Sequence, residues 1–167
     1  MRSTAARPSR PTRPFRTARR STCTSLAALA LLLVAGCGST PHDVPYTDLT
    51  RRAGPLEFTR ITRDVFRSRA GLLDVLERNN PGRTIHLPKI DFSRREIYLV
   101  AAGPRSSTGY VLEVVRVRDE GDHIDVVVHE RTPSLGHRVQ ARVTYPFVLI
   151  SLPRSKEPVK LKWPGRP

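Results

Sequence analysis

The amino-acid sequence predicts an α+β domain that is mainly β, with an antiparallel sheet (a sandwich or a partly open barrel) and one short N-terminal helix packed on it. Three features lead to this prediction. Runs rich in valine, isoleucine and leucine follow one another from Ile97 onward. Apolar and polar residues alternate at 123–129, the pattern of a strand with one buried face. One stripe of apolar residues at helical spacing, within 65–76, precedes them.

The positive charge of the chain is concentrated at its N-terminus. The 167 residues include 29 Lys and Arg against 15 Asp and Glu, a formal net charge of +14. Seven of the arginines and no acidic residue lie within 1–36, so this segment carries half of the net charge. The two cysteines, both before residue 38, exclude a disulfide framework. No apolar run approaches the ~20 residues of a transmembrane helix.

Residues 1–36 have the parts of a bacterial export signal. An arginine-rich start is followed by the apolar run 26–35, whose length is typical of a signal peptide. The run ends at Val34-Ala35-Gly36-Cys37, which resembles the lipobox of bacterial lipoproteins. We therefore expect cleavage between Gly36 and Cys37 and attachment of a diacylglyceryl group to the Cys37 thiol. Cys23 lies in the segment that would be removed.

Other interpretations of this segment stay open. Cys37 could be an unmodified residue beyond an ordinary cleavage site, or the apolar run could remain as a short anchor. Arg19-Arg20 leaves open the choice between the general secretory and the twin-arginine routes. The sequence predicts an extracytoplasmic protein that is lipid-anchored to the bacterial cell membrane. Gly38 permits sorting to an outer membrane if the host has one.

The rest of the chain divides into a tether, a domain and a tail. Residues 37–55 are turn-rich and lack periodicity, which predicts a flexible tether. The β-rich domain is expected at 56–163 and a short tail at 164–167.

The first part of the domain is predicted to contain a short strand and the helix. Alternation favours a strand at Leu56–Ile61, and Thr62 is placed to cap a helix. One helix face should cover a sheet with a stripe of mostly apolar residues: Val65, Phe66, Arg69, Leu72, Leu73 and Leu76. The helix should end at Asn79-Asn80-Pro81-Gly82, since proline disfavours helical backbone in the residue before it. A connector follows at 82–96.

The second part is predicted to be β. Strands are expected at 97–102, 110–117 and 124–129, with a tight turn at Gly121. Ile124, Val126 and Val128 should face the core, and His123, Asp125 and His129 the solvent. A longer strand at 139–152, bent at Pro146, and a short one at 159–163 should follow loops at 103–109 and 131–136.

The sequence favours neither catalysis nor a cofactor. Ser106 and Ser107 are loop serines, but no nucleophile elbow is present and no histidine is fixed near either. His123 and Asp125 share a strand face, whereas His129 lies about 20 Å away along an extended strand and cannot complete the same metal site. The arginines between Arg51 and Arg69 are not arranged along an element that could contact nucleic-acid bases. We predict no cofactor, no metal and no nucleic-acid partner.

Two loops are the candidate contact surface for a protein partner. The segment Ser106-Ser107-Thr108-Gly109-Tyr110, with Leu135 and Tyr145, could form an exposed rim, since loops on a rigid scaffold often carry recognition. The sequence favours a structural interpretation of this segment over the contact one: Gly109 makes a tight turn and Tyr110 packs at the start of a strand, since glycine in a turn has a backbone reason. An open sheet edge could also bind a partner strand.

The β half resembles the C-terminal domain family named for the protease complex subunit PrcB, which occurs in bacterial lipoproteins. The resemblance spans roughly 56–163. It rests on the order of Leu72-Leu73, Ile90-Asp91-Phe92-Ser93, the turn Ser106–Tyr110, a valine-rich hairpin, Thr132-Pro133 and the closing strand at 143–150. Thr108 stands at the first glycine position of the family turn, and Phe147 replaces the usual tyrosine.

The resemblance implies a small, mainly β module that acts by contact. The namesake module belongs to an accessory lipoprotein of a surface protease complex and is not the protease itself. The resemblance thus implies a lipid-anchored envelope module with a protein partner, which could be a protease. A secreted enzyme with an unrecognised site and a plain structural lipoprotein remain the alternatives.

Overall fold

Two four-stranded sheets pack against each other as a β-sandwich, which confirms the predicted fold class. The structure is a computed structural model that describes residues 40–134, 136 and 138–164. Its elements in chain order are β1 His42–Asp43, β2 Thr47–Asp48, α1 Thr50–Ala53, β3 Thr62–Phe66, α2 Arg69–Asn79, β4 Arg95–Ala101, β5 Val111–Asp119, β6 Ile124–Arg131, β7 Phe147–Pro153 and β8 Val159–Lys162.

Sheet A has the strand order β1-β5-β6-β8, and sheet B has the order β2-β7-β4-β3. Neighbouring strands are antiparallel except for β8, which runs parallel to β6. Sequential strands β5 and β6 form a hairpin, and Gly121 in its turn has φ 94°, as predicted. No helix in the described part of the chain is long and apolar enough to cross a membrane.

Sheet B is buried on both faces, whereas sheet A is buried on one. Alternate residues of the central strand β4 point to opposite sides. Ile97 and Leu99 join a core with Leu72 and Leu76 of α2. Tyr98 and its neighbours on that face join a second core, which lies against the apolar face of sheet A. The continuous apolar run of β4 follows from this double burial, because both of its faces are removed from water.

The segment predicted as a tether is part of the domain for most of its length. β1 pairs with β5 through His42 opposite Asp119, and β2 pairs with the outer edge of β7. Leu49 and Ala53 are buried in the core on the helix side of sheet B. The prediction of a flexible tether at 37–55 is therefore wrong for 42–53. Strand pairing and these two buried side chains hold the segment on the domain, although its apolar residues form no obvious period.

The predicted strand at Leu56–Ile61 is absent, because this segment covers a sheet face and joins no ladder. Leu56 and Phe58 are buried in the core, so the alternation correctly identified the inward side chains. The backbone N–H of Glu57 donates to the side chain of Asn80 at 2.7 Å. Asn80, just after α2, also donates to the carbonyl of Leu76 at 3.0 Å and so ties the segment to the helix.

The helix begins later than the sequence predicted. Thr62–Phe66 is strand β3, whose residues pair with Ile97–Ala101 of β4. Val65 and Phe66 consequently face opposite sides of sheet B and are not neighbours on a helix stripe. Ser68 caps α2, and its side chain accepts from the N–H of Gly71 at 3.2 Å. The predicted end of the helix, at Asn79, is confirmed.

The long strand predicted at 139–152 is only half present. β7 begins at Phe147, directly after Pro146, which has no N–H to donate to a ladder. Val139 and Val143 are largely exposed, and the residues before β7 form a loop. The short strand predicted near 159–163 is confirmed as β8.

The core face of β6 is as predicted, but the outer face is not wholly exposed. Ile124, Val126 and Val128 are buried and His129 is exposed. Asp125, however, is 2% exposed, so its predicted solvent exposure is wrong. The parallel strand β8 brings Lys162 into an ion pair with this carboxylate.

His123 lies over the same carboxylate. One of its ring nitrogens is 3.2 Å from the carboxylate of Asp125, and the other contacts Asp122. Only 16% of the His123 side chain is exposed, so this residue is also more buried than predicted.

We predict that Lys162→Ala destabilises the domain, because it removes the cation that faces the buried carboxylate of Asp125. The expected loss is about 1–3 kcal/mol, below the ~3–5 kcal/mol of a fully buried pair, since the Lys162 side chain is 58% exposed. Lys160→Ala on the same strand should cost less than about 0.5 kcal/mol. Denaturant unfolding compares the two variants, and equal losses would contradict the ion-pair explanation.

We also predict that stability falls at alkaline pH because of Tyr98. Burial raises the pKa of the Tyr98 phenol from 10.0 to about 12, since the phenolate would lose its hydration between the sheets. A raised folded-state pKa gives stability that is complete below the unfolded pKa and is lost as the pH rises through the folded one. The free energy of unfolding should therefore decline from pH 10.0 to about 12, and less steeply in Tyr98→Phe. Equal declines would contradict this.

Candidate functional site

The two loops with the predicted contact residues lie at the same end of the sandwich. Loop L1, residues 103–110, connects β4 to β5, and loop L2, residues 132–146, connects β6 to β7. Val111 at the start of β5 is paired with Arg131 at the end of β6. The end of L1 therefore lies beside the beginning of L2. The hairpin turn between β5 and β6 lies at the other end of the same strands.

Arg105 joins L1 to its surroundings. Its guanidinium makes a two-pronged ion pair with Glu130 of β6 and donates to the carbonyl of Ala102 at 2.9 Å. The hydrogen bond to Glu130 raises the pKa of the Arg105 guanidinium. Its backbone forms an isolated bridge with Thr144 of L2. Neither Arg105 nor Glu130 could be predicted from the sequence, since an arginine in a loop has no spacing signal that identifies its partner.

Further hydrogen bonds join L1 to the described part of L2. The N–H of Thr108 donates to the carbonyl of Gln140 at 3.1 Å, and the N–H of Gln140 donates back to the Thr108 hydroxyl at 3.0 Å. The hydroxyl of Thr144 donates to the carbonyl of Ser107 at 2.7 Å. L1 and the described part of L2 are therefore joined by hydrogen bonds into one bonded unit.

Gly109 is required by the closeness of the two loops. A Cβ added to it would lie 2.7 Å from side-chain atoms of both Pro133 and Val139. Real Cβ atoms do not approach other atoms so closely, so L2 would have to shift. The structural interpretation of Gly109 thus has a steric reason in the packing of L1 on L2, rather than in a positive φ.

The candidate contact residues differ in their exposure. Ser106 is exposed, whereas Thr108, Gly109, Tyr110 and Tyr145 are partly buried. Ser107 is 8% exposed, so its side chain does not belong to an exposed rim, contrary to the prediction. Leu135 of L2 and the predicted cleavage and lipidation residues, Gly36 and Cys37, lie outside the described residues.

Beside the loops is an open groove that we call the tyrosine groove. Its volume is about 600 Å³, and it is lined by Tyr110–Val114, by Tyr145–Val148 and by four residues of the N-terminal segment: Tyr46, Asp48, Thr50 and Arg51. Three of the four tyrosines of the chain line it, and the fourth, Tyr98, is buried between the sheets. Tyr110 and Tyr145 are among the predicted contact residues, whereas Tyr46 is not, because it lies in the segment predicted as a tether.

The described residues do not assemble hydrolytic or metal-binding groups. Ser106 and Ser107 make no hydrogen bond to a histidine within 40–134, 136 and 138–164. No cluster of three or more His, Cys, Asp or Glu side chains that could hold a metal occurs among those residues. The two buried carboxylates there, Glu96 and Asp125, face the cations of Arg67 and Lys162.

We predict that Gly109→Ala destabilises the domain by about 1–3 kcal/mol, the usual cost of forcing extra volume into a packed contact. Ser106→Ala, on the exposed part of the same loop, should cost less than about 0.5 kcal/mol. Thermal unfolding of both variants measures the difference. A Gly109→Ala variant as stable as the wild type would contradict the close packing of L1 on L2.

Comparison with known proteins gives one match. Residues 97–153 match the family model described as PrcB C-terminal. No curated protein and no solved structure matches the chain. The matched residues run from β4 to β7 and include L1, the β5–β6 hairpin and the described part of L2. The segment 56–96, which the resemblance also spanned, lies outside the match. Residues 97–153 are therefore similar to the PrcB C-terminal family, the same family that the sequence resembles.

Proposed function

We propose that this protein is a lipid-anchored accessory module of the bacterial cell envelope that binds a protein partner and performs no catalysis. The match of residues 97–153 to the PrcB C-terminal family model supports an accessory role in a protease complex. The observation that carries the proposal is the bonded unit of L1 and L2 beside the tyrosine groove, a preformed surface at one end of a rigid sandwich.

The position of β1 supports an orientation in which L1 and L2 point away from the membrane. His42 pairs with Asp119, at the hairpin end of β5. Five residues, 37–41, would separate a lipid on Cys37 from this strand, and a fully extended chain of that length spans at most about 18 Å. The hairpin end would then face the membrane closely, and L1 and L2 would face away from it toward a partner.

The proposed partner is a subunit of a protease complex. A photoreactive amino acid placed at Ser106, which is exposed on L1, should crosslink this partner in the host cell. The matched control is Asp122, whose side chain is 79% exposed at the opposite, hairpin end. We expect a crosslinked species from position 106 and none from position 122, with mass spectrometry identifying a protease subunit.

Three results would contradict parts of this proposal. No crosslink at position 106, or equal crosslinking at both positions, would show that the end of the sandwich with L1 and L2 is not the binding surface. A partner unrelated to proteolysis would remove the protease assignment. Purified wild-type protein that hydrolysed a peptide or ester substrate, and lost this activity on replacement of one histidine or serine, would overturn the non-enzymatic role.

Anchoring has its own test. Cys37→Ser should release the protein into the soluble fraction or leave it uncleaved, because two acyl chains hold a protein on a bilayer where one binds only marginally. Cys23→Ser should leave membrane fractionation unchanged, since Cys23 lies in the segment that would be removed. A processed Cys37→Ser protein that still fractionates with membranes would disprove the lipid anchor.

A further inference from the structure

We propose that a cavity beside the start of α2 binds a phosphate group of a ligand. Its volume is about 480 Å³, and it is lined by Arg52 of α1, by Arg69 at the first position of α2 and by Ile85–Pro88, in the segment between α2 and β4. We call it the arginine cavity. It shares no lining residue with the tyrosine groove, and this inference does not depend on the proposed function.

Charge distinguishes the arginine cavity from three other cavities of the domain. Its lining contains two arginines and a histidine and no acidic residue. The tyrosine groove has Asp48 and Glu113 beside a single arginine, and a cavity beside Ile61 has Asp64 in its lining. In a cavity between L1 and L2, one of the two arginines, Arg131, is already 3.1 Å from Glu113. Of these four, the arginine cavity is the one in which every basic side chain lacks an acidic partner among the described residues.

The basic side chains of the arginine cavity are available to a ligand. Arg52 and His86 are exposed, and neither side chain makes a hydrogen bond or an ion pair within residues 40–134, 136 and 138–164. Arg69 is also exposed, and in the same part of the chain its guanidinium donates to the carbonyl of Pro88 at 3.4 Å. A guanidinium has five N–H donors, so most of those on Arg69 remain free for an anion.

Each of these side chains belongs to a segment that is fixed to the core on the helix side of sheet B. α1 is held by Ala53, which is buried in that core. Ile85 and Leu87 pack against the same core, and His86 between them is left facing outward. The hydrogen bond from Arg69 ties this segment to α2. The cavity is therefore preformed, and a preformed site loses less conformational entropy when a ligand binds.

The beginning of α2 adds to the positive potential of the cavity. Arg69 is the first residue of this 11-residue helix, and the N–H groups at a helix N-terminus carry a partial positive charge. Acidic residues often offset this charge, but the first turn of α2 contains none. The helix end therefore supports the attraction of an anion by the basic side chains.

The arrangement of the donors favours phosphate over a carboxylate. One guanidinium can bind both oxygens of a carboxylate through two parallel hydrogen bonds, so a second arginine is not needed. A phosphate group has three peripheral oxygens in a tetrahedral arrangement and can accept from several sides at once. The arginine cavity offers basic side chains from three separate segments, namely α1, α2 and the residues between α2 and β4. We therefore expect tighter binding of phosphate than of a carboxylate.

The test follows the NMR chemical shifts of individual backbone amides of the full chain, purified in neutral detergent micelles. This local measurement separates the cavity from the arginines of 1–36. Inorganic phosphate, added at constant ionic strength, should shift the amides of Arg52, Arg69 and His86 in a saturable manner. Acetate at the same ionic strength should bind at least about five-fold more weakly, since it has fewer acceptor oxygens and a smaller charge.

Two further additions identify the source of the phosphate group. Glycerol phosphate represents a soluble ligand, and phosphatidylglycerol mixed into the micelles represents a lipid headgroup. A saturable shift of the same three amides with glycerol phosphate would support a soluble phosphate ligand. A shift with inorganic phosphate and phosphatidylglycerol, but not with glycerol phosphate, would support a headgroup. Either result supports a phosphate site.

Two neighbouring arginines of α1 provide a matched pair of variants. Arg52→Glu should weaken phosphate binding by at least about five-fold, because a repelling charge replaces an attracting one in the cavity. Arg51→Glu makes the same change one residue away, outside the lining of the arginine cavity, and should alter affinity by less than about two-fold. Both side chains are exposed, and circular dichroism would verify that both variants fold.

Three outcomes would overturn the inference. The first is the absence of a saturable shift at these amides with inorganic phosphate. The second is acetate binding as tight as phosphate binding, which would indicate a site for any anion. The third is equal weakening by Arg51→Glu and Arg52→Glu, which would indicate general attraction to a basic surface. None of them affects the crosslink expected at position 106, so the phosphate site and the proposed function fail separately.

Discussion

The burial of sheet B on both faces is the constraint on which the rest of the structure depends. A strand such as β4, with Ile97, Leu99 and Val100 all inaccessible to solvent, cannot have one face open to water. One face is covered by sheet A. The other must be covered by α2 and by the N-terminal segment, because these are the elements that pack there. Removing that apolar area from water supplies roughly 25 cal/mol per Å².

This constraint also explains why the tyrosine groove and the unpaired strand segments lie at the sheet edges. The segment from His42 to Ala53 crosses from the edge of sheet A to the edge of sheet B before it covers the face of sheet B. It forms strand pairs with only two residues of each sheet. The first residues of β5 and β7 therefore have no strand paired to their outer edge. The tyrosine groove is the space between those two beginnings. L1 and L2 then close the same end of the sandwich.

The fold class and most of the β half follow from the sequence because local patterns report them directly. The alternation at Ile124–Val128 identifies the core face of β6, and the continuous apolar run at 97–101 identifies a central strand. The errors have a common cause. Val65 and Phe66 fit a helical stripe as well as a strand, and only the hydrogen bonds to β4 decide between them. Leu49 is buried by tertiary contacts, and no local sequence periodicity predicts this burial.

The placement of the residues around L1 and the tyrosine groove could be predicted only in part, for the same reason. Ser106, Tyr110 and Tyr145 were identified because turn residues and strand ends mark loops. The exposure of Asp125 was mistaken because Lys162, far away in sequence, covers it in the fold. Arg105 and Tyr46 were not predicted because each acts through a partner distant in sequence. Arg105 pairs with Glu130, and Tyr46 donates to the carbonyl of Val114.

The most direct test of the account is the thermal unfolding of the chain that begins at residue 40, compared with the chain that begins at residue 56. The account treats 42–53 as part of the domain, so the shorter chain should lose its cooperative transition or melt at a much lower temperature. Its exposed apolar face should then bind a hydrophobic dye. If both chains unfold cooperatively at the same temperature, residues 42–53 are a tether after all, and the two-faced burial of sheet B does not depend on them.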